Sequence, residues 1–329
     1  MHTQTLKADL LLLTTAILWG VAFVAQRKGM EAIGPMAFNG IRFALGSLSL
    51  LPLIHIMDRR TNGGSLLPGS DPRWRAAWRS GLPVGLVLFG GASLQQIGIV
   101  YTTAGKAGFI TGLYVVMVPL FGLIWKQRPP LGTWVGAVLA AVGLYFLSIT
   151  KELTMDRGDA LVFLGAFFWT AHVLLLGWLS PRRDPVKLAC CQFAVCSVLS
   201  LISAVIFEET SAGAVRDAAV PILYGGFVSV GIAYTLQVVA QKHAHPAHAS
   251  ILLSMESPVA ALAGWVILSE GLTMRALFGC ALMLVGMVVS QLAEVFRPAR
   301  NPGETLQAAV ECAAGSPTEA PDSGLGCRG

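Results

Sequence analysis

Residues 9–29 have the sequence DLLLLTTAILWGVAFVAQRKG, and residues 159–179 have the sequence DALVFLGAFFWTAHVLLLGWL. Each stretch begins with an aspartate, continues as a long apolar run and has a tryptophan at the same position, Trp19 or Trp169. A helix needs about 20 apolar residues to cross the hydrocarbon core of a bilayer. Both stretches therefore predict membrane-spanning helices, and their similarity indicates an internal repeat.

The repeat extends well beyond these two stretches. A displacement of 150 positions also aligns the second apolar runs without a gap, and slightly smaller displacements align the later ones. Each repeat contains five apolar runs, an odd number, so the second repeat is expected to enter the bilayer from the opposite side. The further aligned pairs are Pro35 with Pro185, Phe43 with Phe193, Ala44 with Ala194, Ser47 with Ser197, Leu51 with Leu201, Gln96 with Gln237, Pro119 with Pro258, Gly136 with Gly279 and Gly143 with Gly286.

The composition also indicates a membrane protein. Hydrophobic residues make up 54% of the 329 residues and charged residues only 12%, whereas soluble domains contain about 25% charged residues. A bilayer is itself an apolar solvent, so it tolerates a surface that water does not. Ten runs are long enough to span it, at residues 9–29, 36–57, 80–101, 106–125, 131–149, 160–179, 186–207, 220–241, 247–268 and 276–296.

The distribution of lysine and arginine predicts how these runs are oriented. Fourteen lie beside the runs on the face that holds the N-terminus, and seven lie on the opposite face. Cytoplasmic loops carry an excess of these residues, so both termini and the 58–79 loop are expected in the cytoplasm. The same bias explains the net charge of +5 without nucleic-acid binding. The sequence thus predicts an all-α polytopic membrane protein of ten transmembrane helices, with inverted five-helix repeats at 1–149 and 150–296 and a disordered cytoplasmic tail at 297–329.

Polar and aromatic side chains recur at helical spacing within several runs. Polar residues inside a membrane are costly, so each is a candidate for function, although amides and hydroxyls can also simply join helices. The two equivalent tryptophans, each with a polar neighbour on its face, predict the aromatic walls of a solute cavity. The predicted substrate-binding residues are Trp19, Gln26, Gln96, Thr111, Tyr114, Trp169, His172, Tyr234 and Gln237.

Two full charges, Arg42 and Glu256, lie deep within the runs. A buried carboxylate is costly unless it is paired or protonated. Glu256 is therefore expected to pair with Arg42, to carry a coupling proton or to bind a substrate ammonium, and Arg42 is expected to be structural. His243, His245 and His248 could hold a metal, but no carboxylate or thiol accompanies them. A solvated loop is the preferred interpretation, so neither a metal nor a cofactor is predicted.

The order of several short motifs in both halves resembles the drug/metabolite transporter superfamily, EamA type. The resemblance covers about residues 8–295. It implies a ten-helix fold and the export of aromatic or other amino acids, or related metabolites, across a bacterial inner membrane. The first half has Gln127 where the second has Glu270, so any role of that acid is absent from the first half. The motifs are Trp19-Gly20, Pro35, Arg42-Phe43, Pro119, Gly158-Asp159, Glu256-Ser257-Pro258 and Glu270.

The cavity and the resemblance together predict a secondary transporter that exports small amphipathic metabolites, amino acids foremost, by alternating access. Its expected partners are that solute and the lipid bilayer, and it is expected to act as a monomer or a loose homo-oligomer. A passive channel or facilitator is the first alternative, although two repeats in one chain are ill suited to a ring-like filter. A membrane-embedded enzyme is less favoured, because the sequence has no H-E-x-x-H motif, nucleophile elbow or paired aspartates.

Overall fold

A computed structural model of the protein describes residues 2–62, 72–102, 104–124, 127, 129–148, 157–269, 271 and 273–295. Met1–Val295 form one compact unit. The predicted tail at 297–329 and Glu270 lie outside the described residues. Within the described ranges the regular secondary structure is entirely helical, as the hydropathy pattern predicts.

The described residues form fourteen α-helices, which are numbered in chain order. A 3-10 turn at Ser180–Arg182 follows the seventh, and a π-helix at Tyr224–Tyr234 separates the tenth from the eleventh. The α-helices are α1 (His2–Gly29), α2 (Pro35–Asn62), α3 (Pro72–Tyr101), α4 (Ala104–Gly112), α5 (Tyr114–Ile124), α6 (Leu131–Ser148), α7 (Arg157–Leu179), α8 (Pro185–Phe207), α9 (Ala212–Asp217), α10 (Ala219–Leu223), α11 (Thr235–Ala240), α12 (Pro246–Leu253), α13 (Glu256–Leu268) and α14 (Met274–Val295).

In the described residues, each of the ten predicted apolar runs coincides with helical segments. In the described part of the chain, eight segments are long and apolar enough to cross a membrane. Two further apolar segments, Leu131–Phe146 and Met274–Ser290, are shorter. The eight are Gln4–Gly29, Pro35–Arg59, Pro72–Tyr101, Ala107–Ile124, Arg157–Arg182, Pro185–Phe207, Ala219–Ala240 and Pro246–Leu268.

Three predicted spans are not the continuous α-helices that their hydropathy suggests. The 106–125 run is interrupted at Leu113, between α4 and α5, and the 247–268 run is interrupted between α12 and α13. Pro258 lacks the N–H that would bond the Ser254 carbonyl, which explains the second interruption. The 220–241 run contains the π-helix instead of a single α-helix. Two of these interruptions place residues of the candidate site at the start of a half-helix, as described below.

Glycines allow α6 and α14 to cross in direct backbone contact. A methyl group at Gly136 would lie 2.6 Å from the carbonyl oxygen of Gly286, and one at Gly143 would lie 2.6 Å from the carbonyl oxygen of Gly279. Both distances are shorter than van der Waals contact, so neither position has room for a side chain. Small residues at helix crossings are typical of helix packing inside membranes.

Serines join α2 to α8 at two points. The Ser47 hydroxyl donates to the carbonyl oxygen of Cys190 at 3.0 Å, and the Ser197 hydroxyl donates to the carbonyl oxygen of Gly40 at 2.8 Å. All four residues are buried between the helices, where hydrogen bonds between helices replace hydrogen bonds to water. The pair of helices is therefore held by polar contacts as well as by apolar packing.

Acidic residues connect the ends of the same two helices. Asp58, near the end of α2, forms a buried ion pair with Lys187 in the first turn of α8, with 2.9 Å between Oδ2 and Nζ. Glu208, directly after α8, accepts hydrogen bonds from the backbone N–H groups of Met36 and Ala37 in the first turn of α2, at 2.7 and 2.9 Å. Each acid thus binds a residue in the first turn of the other helix, and Glu208 lies where the start of a helix favours negative charge.

The structure corrects one expectation about the three histidines. His248 does not lie in a solvated loop but is buried in α12, with only 1% of its surface exposed. Its Nε2 lies 3.0 Å from Asp9 Oδ1, and its Nδ1 lies 3.0 Å from the hydroxyl of Ser290. His245 precedes the helix and accepts a hydrogen bond from the backbone N–H of Ala247. His248 is therefore buried against α1 and α14, and its hydrogen-bond partners on these helices are distant from it in the sequence.

Candidate functional site

A buried cavity lies among helices from both halves of the chain. Nine of the eleven residues predicted for substrate binding, coupling or charge pairing line it, and the other two, Gln96 and His172, do not. The sequence did not indicate its other lining residues. The cavity is lined by Trp19, Phe23, Gln26, Arg42, Gln95, Thr111, Tyr114, Trp169, Val173, Ser229, Tyr234, Gln237, Leu253 and Glu256.

The cavity is small in this conformation. Its volume is about 30 Å³, which is about the share of one water molecule in the liquid. Sites for drug-sized ligands have volumes of about 300–1,000 Å³. In this conformation the cavity is therefore too small for a solute as large as an amino acid.

Tyr234 lies at the centre of an aromatic cluster on the cavity wall. Its ring centroid is 4.4 Å from that of Trp19 and 6.2 Å from that of Trp169, against which it is stacked. The rings of Phe43 and Phe193 each lie 5.9 Å from it. Ring centroids at these separations attract one another beyond the effect of burial alone. The two tryptophans that the repeat aligns therefore meet on the same tyrosine.

Trp19 and Trp169 differ in how their indole nitrogens are used. Trp19 Nε1 donates to the carbonyl oxygen of Ser229 in the π-helix at 3.2 Å. Trp169 Nε1 is buried and has no hydrogen-bond partner within the described residues. A buried unpaired donor costs free energy, so Trp169 has an N–H that a bound solute or water could satisfy.

Amide and hydroxyl groups form a second wall. Gln95 Nε2 donates to Gln26 Oε1 at 3.4 Å, and the hydroxyl of Thr111 donates to Gln95 Oε1 at 3.3 Å. Gln95 takes the place on α3 that the sequence had assigned to Gln96. Neighbouring residues of a helix point in directions about 100° apart, so only one of the two glutamines can face the cavity.

Gln96 and His172 lie behind the cavity wall. Gln96 is fully buried, and within the described residues neither atom of its amide has a hydrogen-bond partner. His172 Nε2 lies 2.8 Å from Gln192 Oε1, and its ring lies 6.0 Å from that of Trp169 and 6.1 Å from that of Tyr234. His172 therefore supports the aromatic cluster from outside the cavity.

Glu256 lies at the start of a half-helix, on the cavity wall. It is the first residue of α13, and Tyr114 is the first residue of α5. The Tyr114 hydroxyl donates to Glu256 Oε1 at 3.2 Å. Nearby, the hydroxyl of Ser257 donates to the carbonyl oxygen of Gly108 in α4 at 2.9 Å. The two interrupted segments thus meet at the cavity, a placement typical of substrate sites in transporters.

Arg42 is held in place on the cavity wall without an acidic partner in the described part of the chain. Its Nε donates to Asn39 Oδ1 at 3.0 Å, and its guanidinium lies 5.3 and 5.0 Å from the ring centroids of Phe38 and Phe43. The predicted ion pair with Glu256 is not formed in this conformation, because the two side chains make separate contacts on the cavity wall. The prediction that Arg42 and Glu256 form a structural ion pair is therefore wrong for this conformation.

The fold and the cavity together define a class of protein. Charged, amide and aromatic groups meet inside a bundle of apolar helices, and buried polar groups in such bundles mark the paths of substrates and ions. A polytopic helical membrane protein with an internal polar cavity has the architecture of a membrane transporter.

The chain belongs to the EamA-like transporter family, whose model matches residues 6–149 and 156–291, within the drug/metabolite transporter superfamily. The family and the similar proteins are transporters, not enzymes. The prediction of a multi-pass membrane transporter is thus confirmed, and the alternative of a membrane-embedded enzyme is rejected.

Several known proteins are similar to this chain over most of its length. An uncharacterised transporter of Archaeoglobus fulgidus is 30% identical over 88% of this chain and 87% of its own. The threonine/homoserine exporter RhtA of Salmonella typhimurium is 28% identical over 78% of this chain and 81% of its own. A solved crystal structure with 18% identity matches 87% of this chain and 98% of its own, with a TM-score of 0.71. That structural match supports the fold alone.

Proposed function

We propose that this protein is a secondary transporter that exports small amphipathic metabolites, most of all amino acids, from the cytoplasm. One observation carries the proposal: paired tryptophans, amides, a carboxylate and a guanidinium from both halves of the chain line one buried cavity. The aromatic rings offer contact to an apolar side chain, and the polar groups offer hydrogen bonds to its ends. The similarity to a threonine/homoserine exporter supports the same substrate class.

We further propose that ten transmembrane helices form two inverted repeats. The contacts between the halves support this proposal, because they occur in pairs. In each pair, the residue types that the first half contributes to one contact are contributed by the second half to the other. Ser47 bonds the carbonyl of residue 190, and Ser197, its equivalent 150 positions later, bonds the carbonyl of residue 40. Such reciprocity is expected of two units related by a two-fold axis.

Two more sets of contacts support the same symmetry. The repeat aligns Gly136 with Gly279 and Gly143 with Gly286, and Gly136 meets Gly286 while Gly143 meets Gly279. Asp58 and Glu208 are also 150 positions apart, and each acid binds the first turn of the other repeat's second helix. On this proposal the shorter α6 and α14 are the fifth spans of the two repeats.

Alternating access is the proposed mechanism. Two similar halves can rock against one another around a central site and so open it to either side of the membrane in turn. The small volume of the cavity agrees with a conformation between the two open ones. The interrupted segments at Leu113 and before Glu256 offer places where the cavity wall can change shape without breaking a continuous helix.

The proposed orientation places both termini in the cytoplasm of a bacterial inner membrane, and it gives a direct prediction. Single cysteines at residue 64 (Gly64→Cys) and residue 212 (Ala212→Cys), in a cysteine-free version, should react with a membrane-impermeant maleimide from opposite sides. The residue 64 cysteine should react only after the cytoplasmic face is made accessible. Reaction of both cysteines from the same side would contradict the inverted arrangement.

Transport by purified protein in sealed lipid vesicles tests the proposed function. Vesicles that contain the full chain should take up labelled amino acids faster than protein-free vesicles, with saturation at high solute concentration. A passive channel would instead conduct without saturating in this range and would not respond to an opposing gradient of a second solute.

A further inference from the structure

Arg42 lines the cavity and is held in one orientation by its neighbours. Only 3% of its surface is exposed. Asn39 holds its Nε, and the Asn39 amide is itself fixed by donating to the Ala92 carbonyl oxygen at 3.1 Å. Phe38 and Phe43 hold the guanidinium plane. Orientation by three neighbours leaves the two terminal nitrogens without a hydrogen-bond partner in the described residues.

A buried guanidinium without an acidic partner points to an anionic ligand. Burial of a charge is expensive unless it is paired and hydrogen-bonded. The guanidinium has two terminal nitrogens in a planar fork, which matches the two oxygens of a carboxylate. Cation–π contacts compensate for part of the cost of burial but satisfy none of those donors. Because Arg42 lines the cavity, an anion bound there could pair with it.

A carboxylate lines the same cavity and is separate from Arg42. Glu256 is held by the hydroxyl of Tyr114 at 3.2 Å, and in the described part of the chain it forms no ion pair. The cavity thus presents a guanidinium and a carboxyl group that form no ion pair with each other in the described residues. A ligand with one negative and one positive end could bind the guanidinium and the ionised form of the carboxyl group at once.

The aromatic cluster extends from Arg42 to the cavity wall. Phe43, which lies under the Arg42 guanidinium, is 5.9 Å from Tyr234, and Tyr234 is 4.4 Å from Trp19. An apolar group held by Trp19, Trp169 and Tyr234 would therefore be bound next to the cationic wall. This combination of one cation, one anion and an aromatic surface matches an α-amino acid.

We propose that this cavity selects zwitterions, with Arg42 binding the substrate carboxylate, Glu256 binding its ammonium group, and the Trp19, Trp169 and Tyr234 rings holding its side chain. The inference rests on the proposed transport function and names the substrate class of that same site. It assigns Arg42 a role in substrate selection in place of the structural role expected from the sequence.

Competition during exchange transport tests this selection. Vesicles containing the full chain are loaded with L-threonine or L-phenylalanine, and exchange of the labelled amino acid is measured. The competitors are the free amino acid, its amide, which lacks the carboxylate, and its N-acetyl derivative, which lacks the ammonium. Each blocked analogue should compete about tenfold more weakly than the free amino acid, since a hydrogen-bonded charge is lost.

Variants then assign each end of the substrate. Arg42→Met keeps contact with the two phenylalanine rings but removes the charge, so the amide should compete as well as the free amino acid. Glu256→Gln should remove only the preference for the free amino acid over its N-acetyl derivative, and the preference over the amide should remain. Arg216→Met changes an arginine that is 84% exposed and should leave both preferences intact. Purified Arg42→Met should also melt no lower than the wild type, because an unpaired buried charge is removed.

The possible results separate this inference from the transport proposal. If the wild type exchanges amino acids but blocked analogues compete equally, or if Arg42→Met weakens all competitors alike, zwitterion selection is overturned and transport stands. If the vesicles transport only solutes without paired charges, selection is likewise overturned. If they transport no solute at all, both proposals are overturned.

Discussion

Glu256→Gln is expected to abolish transport driven by a pH gradient. A group that couples protons to solute must change its protonation during the cycle, and glutamine cannot do so while keeping nearly the same shape. Glu256 meets the structural requirements for that role, since it is 97% buried, lines the cavity and is bonded to Tyr114. Exchange at saturating solute should survive in the variant, because exchange needs the site to open and close but needs no net proton movement.

Two controls make the Glu256 result specific. Glu31→Gln alters a carboxylate whose side chain is 61% exposed, and gradient-driven transport should be unchanged. Tyr114→Phe removes the hydrogen bond to Glu256 but keeps the carboxyl group, so part of the gradient response should remain. A Glu256→Gln protein that is stable and transports normally with and without a gradient would remove Glu256 from the coupling mechanism.

Trp169→Ala is expected to weaken transport about tenfold, through loss of an aromatic surface and an unpaired N–H that line the cavity. Trp19→Ala should weaken it similarly, although its N–H is already used by Ser229. Trp169→Phe keeps a ring but loses the nitrogen, so the difference between the two Trp169 variants measures the contribution of the N–H. The apparent affinity in exchange transport is the measurement.

The matching control for the tryptophans is Trp178→Ala. Trp178 lies on the same helix as Trp169, but its side chain is 57% exposed on the outside of the bundle. The Trp178→Ala variant should retain wild-type affinity. Because loss of a large buried ring also destabilises a core, each variant should be compared at equal amounts of folded protein. Wild-type affinity in both Trp19→Ala and Trp169→Ala would reduce these residues to packing roles.

Hydropathy predicted the positions of most helices, because it is a local property of the sequence. The apolar runs became helices, and Trp19 and Trp169 lie together on Tyr234 as their equivalent positions suggested. The interruptions were not predictable from hydropathy. A half-helix and a continuous helix have the same apolar composition, and only the position of Pro258 gave a local sign of one break.

The details of the cavity depended on contacts between distant residues. Gln95 lines the cavity in place of Gln96, because helical spacing within the third run does not tell which face of α3 meets the other helices. Gln237 also follows a π-helix, whose i→i+5 hydrogen bonds alter the number of residues per turn. His248 was misplaced because its partner Asp9 lies 239 positions away. Arg42 and Glu256 are likewise kept apart by the way α2 and α13 pack in the bundle. Helical spacing within each run does not predict this packing.

Solute uptake by the purified full chain in sealed vesicles is the most direct test of whether this protein transports amino acids. The measurement is initial uptake of a panel of labelled zwitterionic amino acids, with and without an imposed pH gradient, against protein-free vesicles. For an amino-acid transporter we expect saturable uptake of at least one of these solutes, accelerated by the gradient and competed by unlabelled solute. Uptake no faster than that of protein-free vesicles, for every solute and with either gradient, would contradict it.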